Sequence, residues 1–524
     1  MAGGTWADQN KVRPGVYINY KSAPSSLATM GERGTVAIAR VLDWGERGQW
    51  YTITDPSDCE QFGHAITDAE CLFIRQILLG SNRTQGASKI MLWSLATQEG
   101  DTKASVTSGG MTFTAKQAGS AGNDITVEVR ANSLYYDVYV NDVIAATNIG
   151  SFSTFTNDYV TASGTPSVMA KTNLSGGVNG AHKATASIGN LVATAKYYGT
   201  FGNRLSVVIT AGEGANFIVQ TLLDGQAVDS QVVSAISGLV SNSYIDWSGT
   251  GALAVNTGVA LTGGTNGEAS VTNYNDFISA LETQKFDIVI YDGSNATIKS
   301  TIAGCVKDLS NNEGVKCQAV LSNFPSPDSE CVISVYPQSV KLIDGSVLAN
   351  EELTWWIGGA SAGAKEDESL TYVAYPDAVE ITPLLTGQQQ KDAISAGQIC
   401  LISEFGDIKI LTDINCFRTL SVEKGQAFKK NRVIRTLFGV CNTIYETFAR
   451  YYIGAVDNND EGRKSLKAEI INILNRYQGM QALQNVDVDD VTVLKGTDSD
   501  AVVIEIYIQP VDSVEKIYIN ITIS

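Results

Sequence analysis

"AKQAGSAGNDITVEV" at residues 115–129 returns as "AKYYGTFGNRLSVVI" at 195–209, with six identities in fifteen positions. The kept core is Gly-x-x-Gly-Asn: Gly119, Gly122 and Asn123 in the first copy, Gly199, Gly202 and Asn203 in the second. A second pair lies at a similar offset, "LSGGVNG" at 174–180 and "LTGGTNG" at 261–267, so a module of roughly 80 residues is duplicated. Both copies are rich in Gly, Ser, Thr and Asn, and their apolar residues alternate without a helical period. That pattern predicts two small β-rich domains in tandem, with the glycines at turns that need positive φ. A phosphate-cradling loop is not indicated, because no Lys-Ser or Lys-Thr follows these glycines and neither stretch opens a helix.

The flanks are different material. "TVAIARVL" from Thr35, "WYTIT" from Trp50, the helical "DAECLFIRQILLG" with Leu72, Ile74, Ile77 and Leu78 on one side, and "KIMLWSL" from Lys89 alternate strand and helix. The alternation stops near Glu99 and resumes near Ser270 with helix "NYNDFISALE", strand "FDIVIYDG", helix "NATIKSTIAGCVKDLS" and strand "GVKCQAVLSN". The simplest topology joins both halves into one mixed α/β domain, interrupted by the duplicated modules.

In the C-terminal third, Gly358 to Ala364 read as a small-residue helix that lets another backbone approach closely. Gly358 and Gly363 have the separation of a nucleotide-binding loop, but Ala364 stands where its Lys is required. "GQICLISEFGDIKILTDINC" reads as a hairpin turning at Phe405-Gly406-Asp407. Two amphipathic helices follow. Ile434, Leu437, Phe438, Cys441, Ile444, Tyr445 and Phe448 make the stripe of the first; Leu466, Ile470, Ile473, Leu474 and Tyr477 that of the second, with Gly479 placed to end it. Both stripes are expected to be core. From Arg418 to Arg435, six basic residues stand against one acid, Glu423, in a chain of net charge -18. Such a patch is either a solvated helix start or a docking face for an acidic partner.

The 55 acidic and 37 basic residues of the 524 argue against a polyanionic partner such as nucleic acid. "MAGGTWADQNKVRPG" lacks the apolar centre of a signal peptide, and no stretch approaches the roughly 18 apolar residues of a membrane span, which places the protein initially in the cytoplasm. The eight cysteines fall singly, as buried reduced thiols would, and form no CxxC pair. The two histidines, His64 and His182, sit in polar surroundings with no evident ligand or triad partner. No catalytic constellation, metal site or cofactor is therefore expected.

Both ends read as strands, "RPGVYINYKS" at 13–22 and "KIYINITIS" at 516–524, the second preceded by a partner strand "AVVIEIYIQP" at 501–510. Strand edges invite other chains to pair. Taken in order, "RPGVYIN", "AKYYGTFGN" with "LTGGTNG", "WWIGGASAGAKEDESLTY", "DINCFRT", "FKKNRVIRTLFGV" and "YYIGAVDNNDEGRKSLKAEI" resemble the tail sheath proteins of contractile-tailed bacteriophages and phage-tail-like particles, over nearly the whole chain. The likeness points to phages and defective prophages of Gram-positive bacteria. One departure is the doubled middle module, where simpler members carry one copy or none.

The resemblance implies an α+β multidomain protein: a mixed α/β sheath core with inserted tandem β-rich domains and extended N- and C-terminal strand arms. The expected boundaries are an arm at 1–22, the inner α/β domain at 23–100 and 269–350, β-rich modules at 101–182 and 183–268, a C-terminal sheath domain at 351–500 and a strand arm at 501–524. It implies a structural subunit that polymerises helically around a tail tube and contracts to drive the tube through the host envelope, with no active site and no cofactor. The implied partners are further copies of the chain, the tail tube protein, and baseplate and tail terminator proteins, with no nucleic acid and no direct membrane insertion. The implied location is a virion tail or tail-like particle assembled in the host bacterial cytoplasm. In that family the arms are lent to neighbouring subunits by strand addition, which here assigns Val16, Tyr17, Ile18 and Tyr20 at one end and Ile504, Ile506, Tyr518, Ile519 and Ile521 at the other. Lys429, Lys430, Arg432 and Arg435 are expected to face the tube. A headless bacteriocin particle would use the same machine. A surface adhesin or surface-layer protein would share the β modules but needs an export signal, and an α/β enzyme needs a polar cleft constellation that the sequence does not show.

Overall fold

The computed structural model describes residues 33–523 except 132–134, 150–151 and 153–154, together with the pairs 3–4 and 16–17. Its centre is a seven-stranded sheet in the order Gln398–Ile399, Val332–Val335, Gln318–Ser322, Ile288–Tyr291, Thr35–Arg40, Lys89–Ser94, Trp50–Ile53. All neighbours are parallel except the Trp50–Ile53 edge. Strands from before and after the duplicated modules therefore share one sheet. Parallel strands are covered on both faces and read apolar throughout, as Ile288, Val289, Ile290 and Tyr291, all buried, do. Alternate residues divide the core in two. Val36, Ile38, Ile288 and Ile290 face helices Leu72–Leu78 and Leu353–Gly363, while Ala37, Ala39 and Val289 face helices Val271–Leu281 and Ala296–Asn311.

The small-residue helix Leu353–Gly363 is almost wholly buried, and its glycines are contact points. A Cβ on Gly359 would lie 2.0 Å from the carbonyl oxygen of Ile77, and one on Gly363 2.1 Å from that of Gly86. Gly359→Ala is expected to destabilise the core by about 1–3 kcal/mol, because backbone cannot yield, even though Ala is the better helix former by about 1 kcal/mol. Gly304→Ala, in helix Ala296–Asn311 with nothing within 4 Å of its Cβ position, should instead stabilise. Urea midpoints check both, and equal midpoints would contradict the packing account.

The two modules are β-sandwiches of one topology. The first pairs a sheet Val160–Gly164, Met111–Ala115, Ser105–Ser108 with a sheet Val143–Ile149, Tyr135–Val140, Ile125–Arg130, Met169–Asn173. The second repeats it with Ile245–Gly249, Leu191–Ala195, Thr185–Ile188 and Gln226–Val233, Phe217–Leu223, Leu205–Ala211, Asn256–Ala260. The repeated motifs clasp one another. Asn123 Nδ2 donates to Gly177 O at 2.8 Å and Asn203 Nδ2 to Gly264 O at 2.9 Å, while Gly177 N and Gly264 N return bonds to the same two side chains. Gly122 and Gly202 are pressed on alanine methyls of their own modules, and Gly119 and Gly199 hold φ of 116° and 125°. The duplicated residues thus close each sandwich.

The copies differ in what they dock on. In the second, Tyr197 and Phe201 pack on core Trp44, at ring centroid distances of 5.1 and 4.7 Å. The first has Gln117 and Ala121 in those places, and instead rests on the connecting segments, Ser120 and Asn179 both donating to Glu268 Oε1. His64 lies at the inner of these junctions. The polar, partnerless setting expected for it is corrected: it is buried and flanked by Asp43 and Asp68. Asp43 is 21 positions earlier and reaches His64 only through the fold.

The C-terminal helices Asn431–Tyr451 and Asp460–Gly479 pack against each other. The stripe of the second is buried as expected. In the first, Ile434 and Phe438 are buried, but Cys441 and Tyr445 are exposed, and Val440, Thr443 and Thr447 face inward. Thr443 is tolerated there because it finds a partner, its Oγ1 lying 2.9 Å from Tyr477 Oη. A hairpin, Val491–Lys495 with Val502–Ile506, lies on the second helix.

Candidate assembly surface

Before helix Asn431–Tyr451 the chain doubles back on itself. Asn415 N donates to Lys429 O at 3.1 Å, Asn431 N to Asp413 O at 3.2 Å, and Asn431 Nδ2 to Asp413 Oδ1 at 2.9 Å. This sets the first helical turn against Asp413 and decides the fate of the basic patch. Asn431, Ile434, Arg435 and Phe438 share one buried face at i, i+3, i+4, i+7. Arg435 is therefore a core residue, not a tube-facing one. Its side chain and that of Asp413 are each 1% exposed, 3.4 Å apart, and Arg435 Nη1 also donates to Glu368 O at 2.7 Å. Burial pulls the guanidinium pKa below its ordinary value, opposed by Asp413, and the group stays protonated.

Lys430 is also engaged, in an ion pair with Glu515, and Lys424 pairs with Glu330. Lys429 and Arg432, both half-buried, line clefts of about 630 and 400 Å³ on either side of residues 512–516. Glu515 pins the tail to the body: it accepts from Thr371 Oγ1 at 2.8 Å and Thr412 Oγ1 at 3.4 Å besides pairing Lys430.

Beyond Glu515 the chain leaves the body. Residues 511–523 hold no strand, so Lys516 to Ile523 are unpaired here, contrary to the strand read from the sequence. Ile517, Ile519, Ile521 and Ile523 are 75–93% exposed and alternate with Tyr518, Asn520 and Thr522. Strict alternation is the pattern of a strand with one covered face, and nothing in the described chain covers it. Ile504 and Ile506 are placed differently from the rest of the expected arm. They are half-buried in the tail hairpin, paired with Val493 and Val491 of the same chain. The hairpin is an isolated two-stranded sheet whose outer edges have no partner among the described residues. At the other end Val16–Tyr17 pairs in parallel with Gly3–Gly4. Ile18 and Tyr20 lie outside the described residues.

Among the described residues no group of three His, Cys, Asp or Glu side chains could hold a metal ion, and no helix is long and apolar enough to cross a membrane. The P-loop-like glycines are inside a buried helix, away from any cleft. The features that stand out are thus a pinned apolar tail and an unpaired hairpin.

Comparison with known proteins gives consistent matches. Residues 179–266 match the phage tail sheath protein beta-sandwich domain, 267–416 the phage tail sheath protein central domain, and 423–524 the phage tail sheath C-terminal domain. The chain is 33% identical to the sheath tail protein from Desulfitobacterium hafniense, with a TM-score of 0.66, covering 96% of this chain and 99% of that one. The sheath tail protein Lin1278 from Listeria innocua has the same fold, at 24% identity, a TM-score of 0.64 and coverage of 94% and 95%. The Phage-like element PBSX protein XkdK of Bacillus subtilis is 25% identical over 556 residues, covering all of both chains.

Proposed function

This chain belongs to the phage tail sheath family, structural proteins of phage or phage-like tails and not enzymes, and we propose that it polymerises helically around a tail tube and contracts to drive that tube through a host envelope. The observation that carries this reading is that one chain holds both an exposed segment of alternating apolar residues, 516–523, left unpaired, and a two-stranded hairpin with free edges. A two-stranded sheet is marginal alone and gains from a third strand. The tail of one subunit supplies it to the hairpin of the next, and the segment containing Val16 and Tyr17 joins the same sheet. Donor and acceptor are different surfaces, so the contact is heterologous and generates a filament and not a closed dimer. Because Glu515 fixes only the root of the strand, the link can hold while the bodies rotate and slide during contraction. Assembly takes place in the host bacterial cytoplasm, and the ends of the polymer meet baseplate and terminator proteins.

The test is negative-stain electron microscopy of the purified chain at rising concentration, alone and with tail tube. Tubes or stacked rings are expected; monodisperse monomers in both conditions would overturn the reading. The tube-facing role narrows to Lys429 and Arg432. Reversing both to Glu is expected to abolish tube-templated assembly with the fold intact by circular dichroism, and unchanged templating would remove them from the tube face.

A further inference from the structure

The chain has two histidines, and each sits at one of the two joints that string the sandwiches onto the core, facing a carboxylate. At the inner joint His64 is 2% exposed and both ring nitrogens point at acids. Nε2 is 2.7 Å from Asp43 Oδ1, and Nδ1 is 3.3 Å from Asp68 Oδ2 and 3.8 Å from Glu70 Oε2. A neutral imidazole has one N–H and one lone pair, so one contact would set a lone pair against an acceptor-only carboxylate. The geometry fits the imidazolium. Burial works against that charge, but the hydrogen bond and charge of Asp43, with Asp68 and Glu70, outweigh it and hold the pKa above its ordinary value.

The same cluster is the floor on which the second sandwich stands. The Phe201 ring meets His64 edge to face at 5.5 Å, and Phe201 N donates to the Asp43 carbonyl at 3.4 Å. At Gly199 a Cβ would fall 2.0 Å from that carbonyl oxygen, so the two backbones are in contact. The other charges facing the cluster are Arg204 of the second sandwich, which lies over Phe201 and pairs with Asp224, and Arg40 of the core, which lines the same small cleft. Arg75 is committed to the carbonyls of Ile66 and Asp68.

We propose that this joint is a proton-controlled hinge: the His64 imidazolium locks the second sandwich to the core, and its deprotonation leaves three carboxylates around a neutral ring and frees that sandwich to reorient. Because the folded value is raised, the lock is complete below about pH 6.5, the ordinary histidine value, and is lost as pH rises through the folded value. At the outer joint His182 Nε2 lies 3.1 Å from Asp101 Oδ1, but those side chains are 42% and 43% exposed, so solvent screens the pair and the inner joint dominates.

The test uses the full chain and two mass-spectrometric exchange rates. Exchange at the His64 imidazole C2–H gives its protonation midpoint, and amide exchange over residues 199–204, corrected for intrinsic pH dependence, reports the joint. The midpoint is expected above about 6.5, with protection of 199–204 falling roughly tenfold across it while the strand at 35–40 stays protected. Glu70→Gln, a change at a half-exposed side chain, should move midpoint and protection loss together to lower pH. His64→Gln should leave protection low at every pH. A midpoint at or below that of free imidazole, or protection of 199–204 unmoved through the titration, would overturn the proposal.

Discussion

A chain ending at Glu515 is expected to lose polymerisation and keep its fold. The nine residues removed, 516–524, include Ile517, Tyr518, Ile519, Ile521 and Ile523, each at least 75% exposed, so the subunit gives up little internal packing. The polymer loses much more. Burying an isoleucine is worth about 1.5–3 kcal/mol, so the four of the arm represent about 6–12 kcal/mol gross at each junction, before the cost of ordering the strand. Even half of the lower figure moves the assembly concentration by more than a hundredfold, at about 1.4 kcal/mol per factor of ten. Sedimentation velocity measures that shift, and thermal melting checks that the fold survives. Ile519→Asn with Ile521→Asn, which keeps the backbone length, should reproduce most of the loss. Polymer forming at the same concentration without residues 516–524 would contradict strand donation by this end.

The second large effect is on stability. Asp413→Ala is expected to cost about 3–5 kcal/mol, because it strands the Arg435 guanidinium in a site where both partners are 1% exposed. It also leaves Leu370 N and Asn431 Nδ2 without the acceptor they share. Asp413→Asn with Arg435→Met removes both charges and keeps an acceptor for one of the two donors, and should recover part of the loss. Denaturant unfolding of the two variants decides the matter; a loss below 1 kcal/mol for Asp413→Ala would show that the pair is not what fixes helix Asn431–Tyr451 to the central domain. The same pair explains why reversing Arg435 would report on folding and not on the tube.

The sequence carries the architecture further than it carries the surfaces. Strands such as Ile288–Tyr291 are apolar on both faces, so a covered parallel sheet can be read from them, and the repeated Gly-x-x-Gly-Asn shows the duplication directly. Periodicity finds a helical face but not what covers it. Cys441 and Tyr445 continue an apolar stripe and yet are exposed, while Thr443 and Thr447, polar by type, are buried because Tyr477 and the second helix lie there. Arg435 sits on a face shared with Ile434 and Phe438, and that spacing was a readable sign of burial; its partner Asp413, 22 positions back, was not. His64 and Asp43 meet only once two turns are folded. In the tail, β-branched apolar residues predominate in both 502–506 and 517–523, and only the pairing of the hairpin separates the strand that stays home from the segment left unpaired.

The most direct measurement is a cryo-electron microscopy reconstruction of the polymer at a resolution that traces the tail beyond Glu515. The account requires residues 516–523 of each subunit to lie as a strand along the 491–495/502–506 hairpin of a neighbouring subunit, with the isoleucines turned inward. A tail folded back on its own hairpin, or left unpaired in a well-ordered tube, would contradict it.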